Sequence, residues 1–193
     1  MSAVEAGPSP EAAGVVRTPR SARAHQVVAA ARTVLEAEGP EALTMRRLGE
    51  ELGIRAPSLY KHVPDKAAVE AALIEEVLAE TGAVLHGAVS RAGPPGSRPV
   101  VEALLAAYRA QALAQPHLYR LVTTGRLPRA ALPEGLEAWS GAPFDVAVGG
   151  AEDRARALWS LAHGMAILEV DGRYPEGADL DAMWRAGAAA FAP

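Results

Sequence analysis

Residues 42–66 read ALTMRRLGEELGIRAPSLYKHVPDK. The stretch alternates aliphatic anchors with polar groups of one kind. Leu48, Leu52, Ile54, Leu59 and Val63 are spaced to hold two short helices together. Between them stand Arg55, Ala56, Pro57, Ser58, Tyr60, Lys61 and His62. These are cations, hydroxyls and compact side chains. Their chemistry is hydrogen bonding and close approach to a polyanion with readable edges, as in the DNA major groove, where each base pair presents its own donor and acceptor pattern. Gly53 permits the sharp turn that sets two helices at a steep angle. Thr44 opens the first helix, where its hydroxyl and the helix N-terminus suit a phosphate. Arg46 stands in the first turn of that helix. Lys66 begins the next helix and suits a second phosphate.

Other chemistries find no residues to carry them. The chain has no cysteine, hence no disulfide, thiolate metal ligand or cysteine nucleophile. The five histidines are His25, His62, His86, His117 and His163, and no two stand three or four apart as a helical metal pair requires. No G-x-S-x-G, P-loop or G-x-G-x-x-G occurs. We therefore expect neither an enzyme nor a metal or cofactor. Glu75 and Glu76 read as a solvated helix face.

The net charge of −4 is unevenly spread. Residues 17–66 hold nine Lys and Arg against six acids, and residues 67–193 hold ten against fifteen. A head at +3 on a body at −5 is expected where only the head meets nucleic acid.

The periodicity is helical throughout, which predicts an all-α fold. Residues 1–16, rich in Ala, Gly, Pro and Ser, read as a disordered tail without the order of a signal peptide. Ser21 caps a helix to about Glu38, ended by Gly39-Pro40. Thr44 caps a second over 45–52, and a third runs from about Ala56 to His62, with Pro57 in its first turn. Asp65 caps a long fourth with Val69, Leu73 and Val77 on one face. The GPPGSRP break at 93–99 follows. Pro99 and Pro116 each open a further helix. Residues 125–150, rich in Gly and Pro, read as irregular, with a helix near 133–139. Two last helices are expected over about 151–170 and 179–191. The domains are thus a DNA-binding head over 17–66 and a ligand-binding and dimerisation body over 67–193. No apolar run is long enough to span a bilayer, which with the lack of cysteine suits the cytoplasm.

The string at 42–66 resembles the DNA-binding domain of the TetR family across about residues 21–70. The likeness rests on the Thr opening the second helix, the Leu-Gly turn, the Leu-Tyr-x-His segment and the Asp-Lys that begins the fourth helix. It implies an N-terminal three-helix helix-turn-helix domain, a C-terminal helical ligand-binding and dimerisation domain, and a homodimer that binds operator DNA. It also implies that Tyr60 and Lys66 contact phosphates while the third helix reads bases. The chain departs from the family at Val63, where Phe is usual, and at Arg55, where Ser or Thr often caps the third helix. WSLAHG at 159–164 resembles a subgroup of TetR C-terminal domains bearing a Trp-x-x-x-His-Gly signature.

The helix around that signature is apolar on two faces, one with Leu158, Leu161, Met165 and Leu168, the other with Trp159, Ala166 and Val170. Such a helix must be covered on both sides. The last helix brings Trp184 and the small residues Gly187 and Ala188. These two helices are the expected dimer interface, with the partner-facing side left open. Tyr108, Tyr119, Trp139, Trp159 and His163 are the candidate ligand-pocket residues, and a closed aromatic core is the alternative for each. The expected function is a repressor released from its operator by a small, mostly apolar inducer. The alternative is a small-molecule binding protein or enzyme on a helical scaffold.

Overall fold

A computed structural model describes residues 7–191. Among these residues it holds nine α-helices, three single 3₁₀ turns and no strand. The helices are α1 (Ala22–Glu38), α2 (Met45–Glu51), α3 (Ala56–Leu59), α4 (Lys66–Ala92), α5 (Arg98–Ala114), α6 (Pro116–Thr123), α7 (Leu136–Ala147), α8 (Glu152–Val170) and α9 (Leu180–Phe191). The caps expected from the sequence are in place. The Ser21 hydroxyl accepts from the Ala24 N–H at 3.1 Å, Thr44 from Arg47 at 3.1 Å, and Asp65 from Ala68 at 2.8 Å. Each satisfies one of the donors that a helix start leaves without an internal partner.

The chain divides into two compact units, interleaved in sequence. One comprises residues 15–78 and 115–136, the other residues 7–14, 79–114 and those from 137 onward. Helix α4 contributes residues to both. In the first unit, Val27, Val28, Val34 and Leu35 of α1 pack with Leu48, Leu59, Val63, Val69 and Leu73, all buried. Leu118 of α6 joins the same core. Helix α6 is tied there by its own start, because the Glu36 carboxylate of α1 accepts from the Leu118 N–H at 2.6 Å. In the second unit α5 packs against α8 and α9.

Four parts of the chain differ from the sequence reading. The stretch 125–150 contains a full helix, α7, that runs through Pro143. Helix α3 is one turn long, and His62 and Val63 continue it only as N–H donors to the Leu59 carbonyl, at 2.8 and 3.0 Å. Glu75 is not solvated. It is fully buried, and its carboxylate accepts from Arg17 Nε at 2.7 Å, from the Thr18 N–H at 3.1 Å and from Arg20. The segment read as a tail is described from Gly7 onward, with a 3₁₀ turn at Glu11–Ala13 and a buried Val15, while residues 1–6 lie outside the described residues.

Burial alone would raise the Glu75 pKa. The hydrogen bonds from Arg17 and Thr18 and the Arg20 charge outweigh it, and the carboxyl titrates below its ordinary 4.5. A carboxylate with a lowered folded pKa stabilises the fold above the unfolded value and loses that stabilisation as pH falls through the folded one. Glu75→Gln should therefore cost about 3–5 kcal/mol near pH 7, since it removes the buried carboxylate charge on which Arg17 and Arg20 converge. The gap in Tm between wild type and variant should close as the pH is taken well below 4.5. A gap that stays constant over that range would show that the carboxylate charge is not what matters.

Candidate nucleic-acid interface

Helix α2 is short, and the turn after it is tight. Gly53 has a φ of 63°, a left-handed conformation that glycine adopts without steric cost. Gly49 is required for a different reason. The Ile54 N–H donates to its carbonyl at 2.9 Å, which folds the turn back onto α2. A Cβ on Gly49 would stand 2.8 Å from the Ile54 carbonyl oxygen and 3.2 Å from the Ala56 nitrogen. The close approach of backbone to backbone thus fixes the angle between α2 and α3. Sequence reasoning singled out Gly53 and missed Gly49; the Leu-Gly-Glu-Glu-Leu-Gly spacing held the only sign of it.

Helix α3 is anchored from beneath by Leu59 and Val63, both buried. Its other face is open. Arg55, Pro57, Ser58, Tyr60, Lys61 and His62 are all exposed, with Ala56 half-buried between them. Tyr60 keeps 53% of its surface accessible, much for a large aromatic residue. Among the described residues neither Arg55 nor Lys61 enters an ion pair. Thr44, Arg46 and Lys66 are exposed too. Arg46 reaches Glu50 at 3.4 Å, and Lys66 reaches Glu70 at 3.5 Å, both one turn along their own helix. Such exposed i, i+4 pairs are weak and easily exchanged. Arg47 is committed instead. It is held by Glu38 at 2.6 Å and Glu51 at 2.8 Å, and those hydrogen bonds raise its pKa. The ten candidate contact residues therefore fall on α2 and α3, on the residues that cap and follow them, and at the start of α4, in one unit.

The body residues divide differently. Tyr108 and Phe144 are buried and meet edge to face, ring centres 5.7 Å apart. Trp139 is buried against His86, at 4.8 Å. Tyr119 lies in α6, which belongs to the other unit. Trp159 and His163 stack on each other at 5.9 Å, and Trp159 is 48% exposed. Burial holds the His163 pKa below 6.5. The candidates of the second unit thus fall in three ring pairs, Tyr108 with Phe144, Trp139 with His86 and Trp159 with His163, while Tyr119 belongs to the first unit. Of the expected interface residues, Leu158, Trp184 and Ala188 are buried within the protomer. Trp184 donates its indole N–H to Glu169 at 2.8 Å, and Glu169 also clasps Arg109 at 2.7 Å. Leu161 and Met165 flank Gly187, each 3.2 Å from where its Cβ would be. Leu168 is 42% exposed.

Residues 27–73 match the family described as bacterial regulatory proteins, tetR family. Residues 101–191 match the tetracyclin repressor-like C-terminal domain. The chain is 30% identical over 188 residues to an uncharacterised HTH-type transcriptional regulator of Mycobacterium tuberculosis, covering 88% of this chain and 82% of that one. The chain belongs to the TetR family of transcriptional regulators. Its helix-turn-helix is α2 and α3, and it is a DNA-binding regulator. The fold is shared with a protein of unknown function from Rhodococcus, at a TM-score of 0.73 and 25% identity, covering 89% of this chain and 94% of that one. It is shared also with a TetR variant from Acinetobacter baumannii in complex with minocycline, at a TM-score of 0.58 and 25% identity, covering 86% and 92%. Among the described residues no helix is long and apolar enough to cross a membrane.

The Gly49 contact gives a direct test of the α2–α3 angle. Gly49→Ala should force backbone to shift and cost about 1–3 kcal/mol, with a lower Tm and weaker operator binding. Unchanged values for both would mean that the turn yields without consequence.

Proposed function

We propose that this TetR-family regulator is a homodimeric repressor that binds a palindromic operator through α3 and is released by a small, mostly apolar ligand. The observation that carries the DNA half is the open face of α3. With the residues that flank it, the helix offers two cations that enter no ion pair among the described residues, a serine, a histidine and an exposed tyrosine, all pinned by Leu59 and Val63. Arg55, Ser58 and Lys61 read bases in this proposal, with Ala56 and Pro57 allowing close approach and Pro57 touching a thymine methyl. Thr44, Arg46, Tyr60, His62 and Lys66 position the head on phosphates. The Thr44 oxygen already accepts from Arg47, and its hydroxyl proton stays available to a phosphate oxygen.

The partner-facing side of α8 follows from helical spacing. Ala155, Leu158, Ala162 and Ala166 form its buried stripe. At about 100° per residue, Leu161, Gly164 and Leu168 lie together on another side. No atom stands within 4 Å of a Cβ built on Gly164. On α9, Ala186 and Ala190 are exposed beside Gly187. We place the second copy of the chain on this small-residue surface and keep Leu158, Trp184 and Ala188 for the protomer core. Trp159 and His163 lie on the opposite flank. They fit the Trp-x-x-x-His-Gly subgroup and are our candidates for ligand contact, since a half-exposed stacked pair offers a flat apolar wall with one polar nitrogen. His163 meets a ligand near pH 7 as the neutral imidazole, because burial holds its pKa down. The solved relative that holds minocycline supports a small-molecule ligand for the body.

Selection of duplexes from a random pool tests the reading as a whole. The protein should enrich a two-fold symmetric sequence with half-sites about 34–36 Å apart. Lys66→Ala should weaken binding equally on all sequences and lower the slope of log K against log salt by about 1. Arg55→Ala should relax one position per half-site, at about 1–3 kcal/mol of discrimination. An unchanged selected motif for Arg55→Ala, Ser58→Ala and Lys61→Ala alike would sink the assignment of α3. For the dimer, Leu168→Glu should halve the mass seen by light scattering and weaken operator binding. Its Tm, measured at a concentration where the wild type is monomeric, should match wild type. A variant that stays dimeric would remove this face from the interface.

A further inference from the structure

Helix α7 contains a proline where a helix should not tolerate one. A proline within a helix has no N–H for the carbonyl four residues back, and its ring pushes that carbonyl aside. For Pro143 the carbonyl is that of Trp139. His86 Nε2 lies 2.9 Å from this same oxygen. A carbonyl only accepts, so Nε2 carries the proton and donates. His86 is on α4, where the second unit contains it, and Trp139 is on α7 of the same unit. The histidine of one helix thus supplies the hydrogen bond that the proline of another withholds.

The rest of the contact is built to match. Gly82 stands one turn before His86 on α4. A Cβ there would be 2.4 Å from Trp139 Cζ3 and 3.0 Å from the Ser140 Cα. The indole therefore lies in a slot that only glycine leaves open, and the His86 ring covers it at 4.8 Å with the planes 32° apart. Gly82 and His86 share one face of α4, as Trp139 and Pro143 share one face of α7. The helix is bracketed by glycines in left-handed conformations: Gly135 at φ 79° before it, and Gly149 and Gly150 at 71° and 87° after it. These are positions where the chain can change direction at low cost.

We infer that α7 is a hinged helix latched onto α4 by His86, which acts as a positioning residue by replacing the missing Pro143 N–H. Because the bond that closes the joint comes from a side chain of another helix, the seating of this part of α7 on α4 depends on His86. A helix with its own complete ladder would have no such dependence.

The test uses the full chain and needs no ligand. His86→Leu should lower Tm by about 3–9 °C and speed hydrogen exchange of the α7 amides by about tenfold or more. His86→Gln, whose amide can still donate, should restore much of the protection. Pro143→Ala returns an N–H to the Trp139 carbonyl from within α7. On that background His86→Leu should lose most of its effect on α7 exchange. Strict additivity of the two substitutions, in both Tm and exchange, would overturn the latch and leave His86 as ordinary packing. An exchange increase spread evenly over α5, α8 and α9 would overturn it as well, because the latch confines the effect to α7. Neither outcome bears on operator binding, so the regulator reading stands or falls separately.

Discussion

A helix of four residues cannot hold its own shape. Nucleating one helical turn costs more than its few hydrogen bonds return, so α3 exists only because tertiary packing imposes it. That packing is narrow. Leu59 and Val63 sink into the aliphatic core of α1, α2 and α4, and the turn docks its backbone on Gly49. All else in the head serves this placement. The residues packed beneath α3 are aliphatic, so the outward face can carry a polar pattern without disturbing them. The open surface and the anchoring surface are thereby separate: side chains outside can vary, while those inside fix the geometry.

The head's charge has the same economy. Its excess of bases over acids overstates what a polyanion would meet. Arg17 and Arg20 are turned inward to Glu75, and Arg47 is shared by Glu38 and Glu51. These guanidinium groups shape the fold. Arg55 and Lys61 at the two ends of α3, with the loosely paired Arg46 and Lys66 beside it, are cations still directed outward. The buried Glu75 explains why the segment before α1 is fixed. Two arginines of that segment and the Thr18 N–H converge on one carboxylate, which is intelligible only as a completed set, since any one of them alone would bury charge without compensation.

Local signals in the sequence were legible where local physics decides. The caps at Ser21, Thr44 and Asp65, the turn at Gly53 and the prolines opening α5 and α6 all read correctly, because each acts within one turn of itself. The ten candidate contact residues fell in one place for the same reason. What could not be read depended on partners distant in sequence. Glu75 looked solvated because the arginines that bury it lie more than fifty residues away. Helix α7 looked irregular because Pro143 breaks helices unless something else answers for its missing donor, and that donor is His86. Helix α6 looked like part of the body, yet Leu118 enters the core of α1 and α4, and Glu36 caps its start. The aromatic residues of the body looked alike in sequence, and burial alone separates Trp139 from Trp159.

The same limit governs α8 and α9. A helix apolar all round says that two things cover it, but not which side each takes. The protomer settles one side by its polar contacts. Arg109 lies over the Trp184 ring and grips both Glu169 and Asp181, while the Trp184 indole donates to Glu169. This network draws α5, α8 and α9 together and turns Trp184 inward, so its bulk goes to the core of the protomer. Gly187 then lets α9 close on Leu161 and Met165. Both effects use up the large residues of α9 on one side and leave alanine on the other. A surface of small residues on α9 beside Leu168 on α8 permits close helix approach with little side-chain entropy to lose. In the proposed dimer the partner-facing side thus follows from where the protomer spends the Arg109 network, and not from hydrophobicity, which the two sides share.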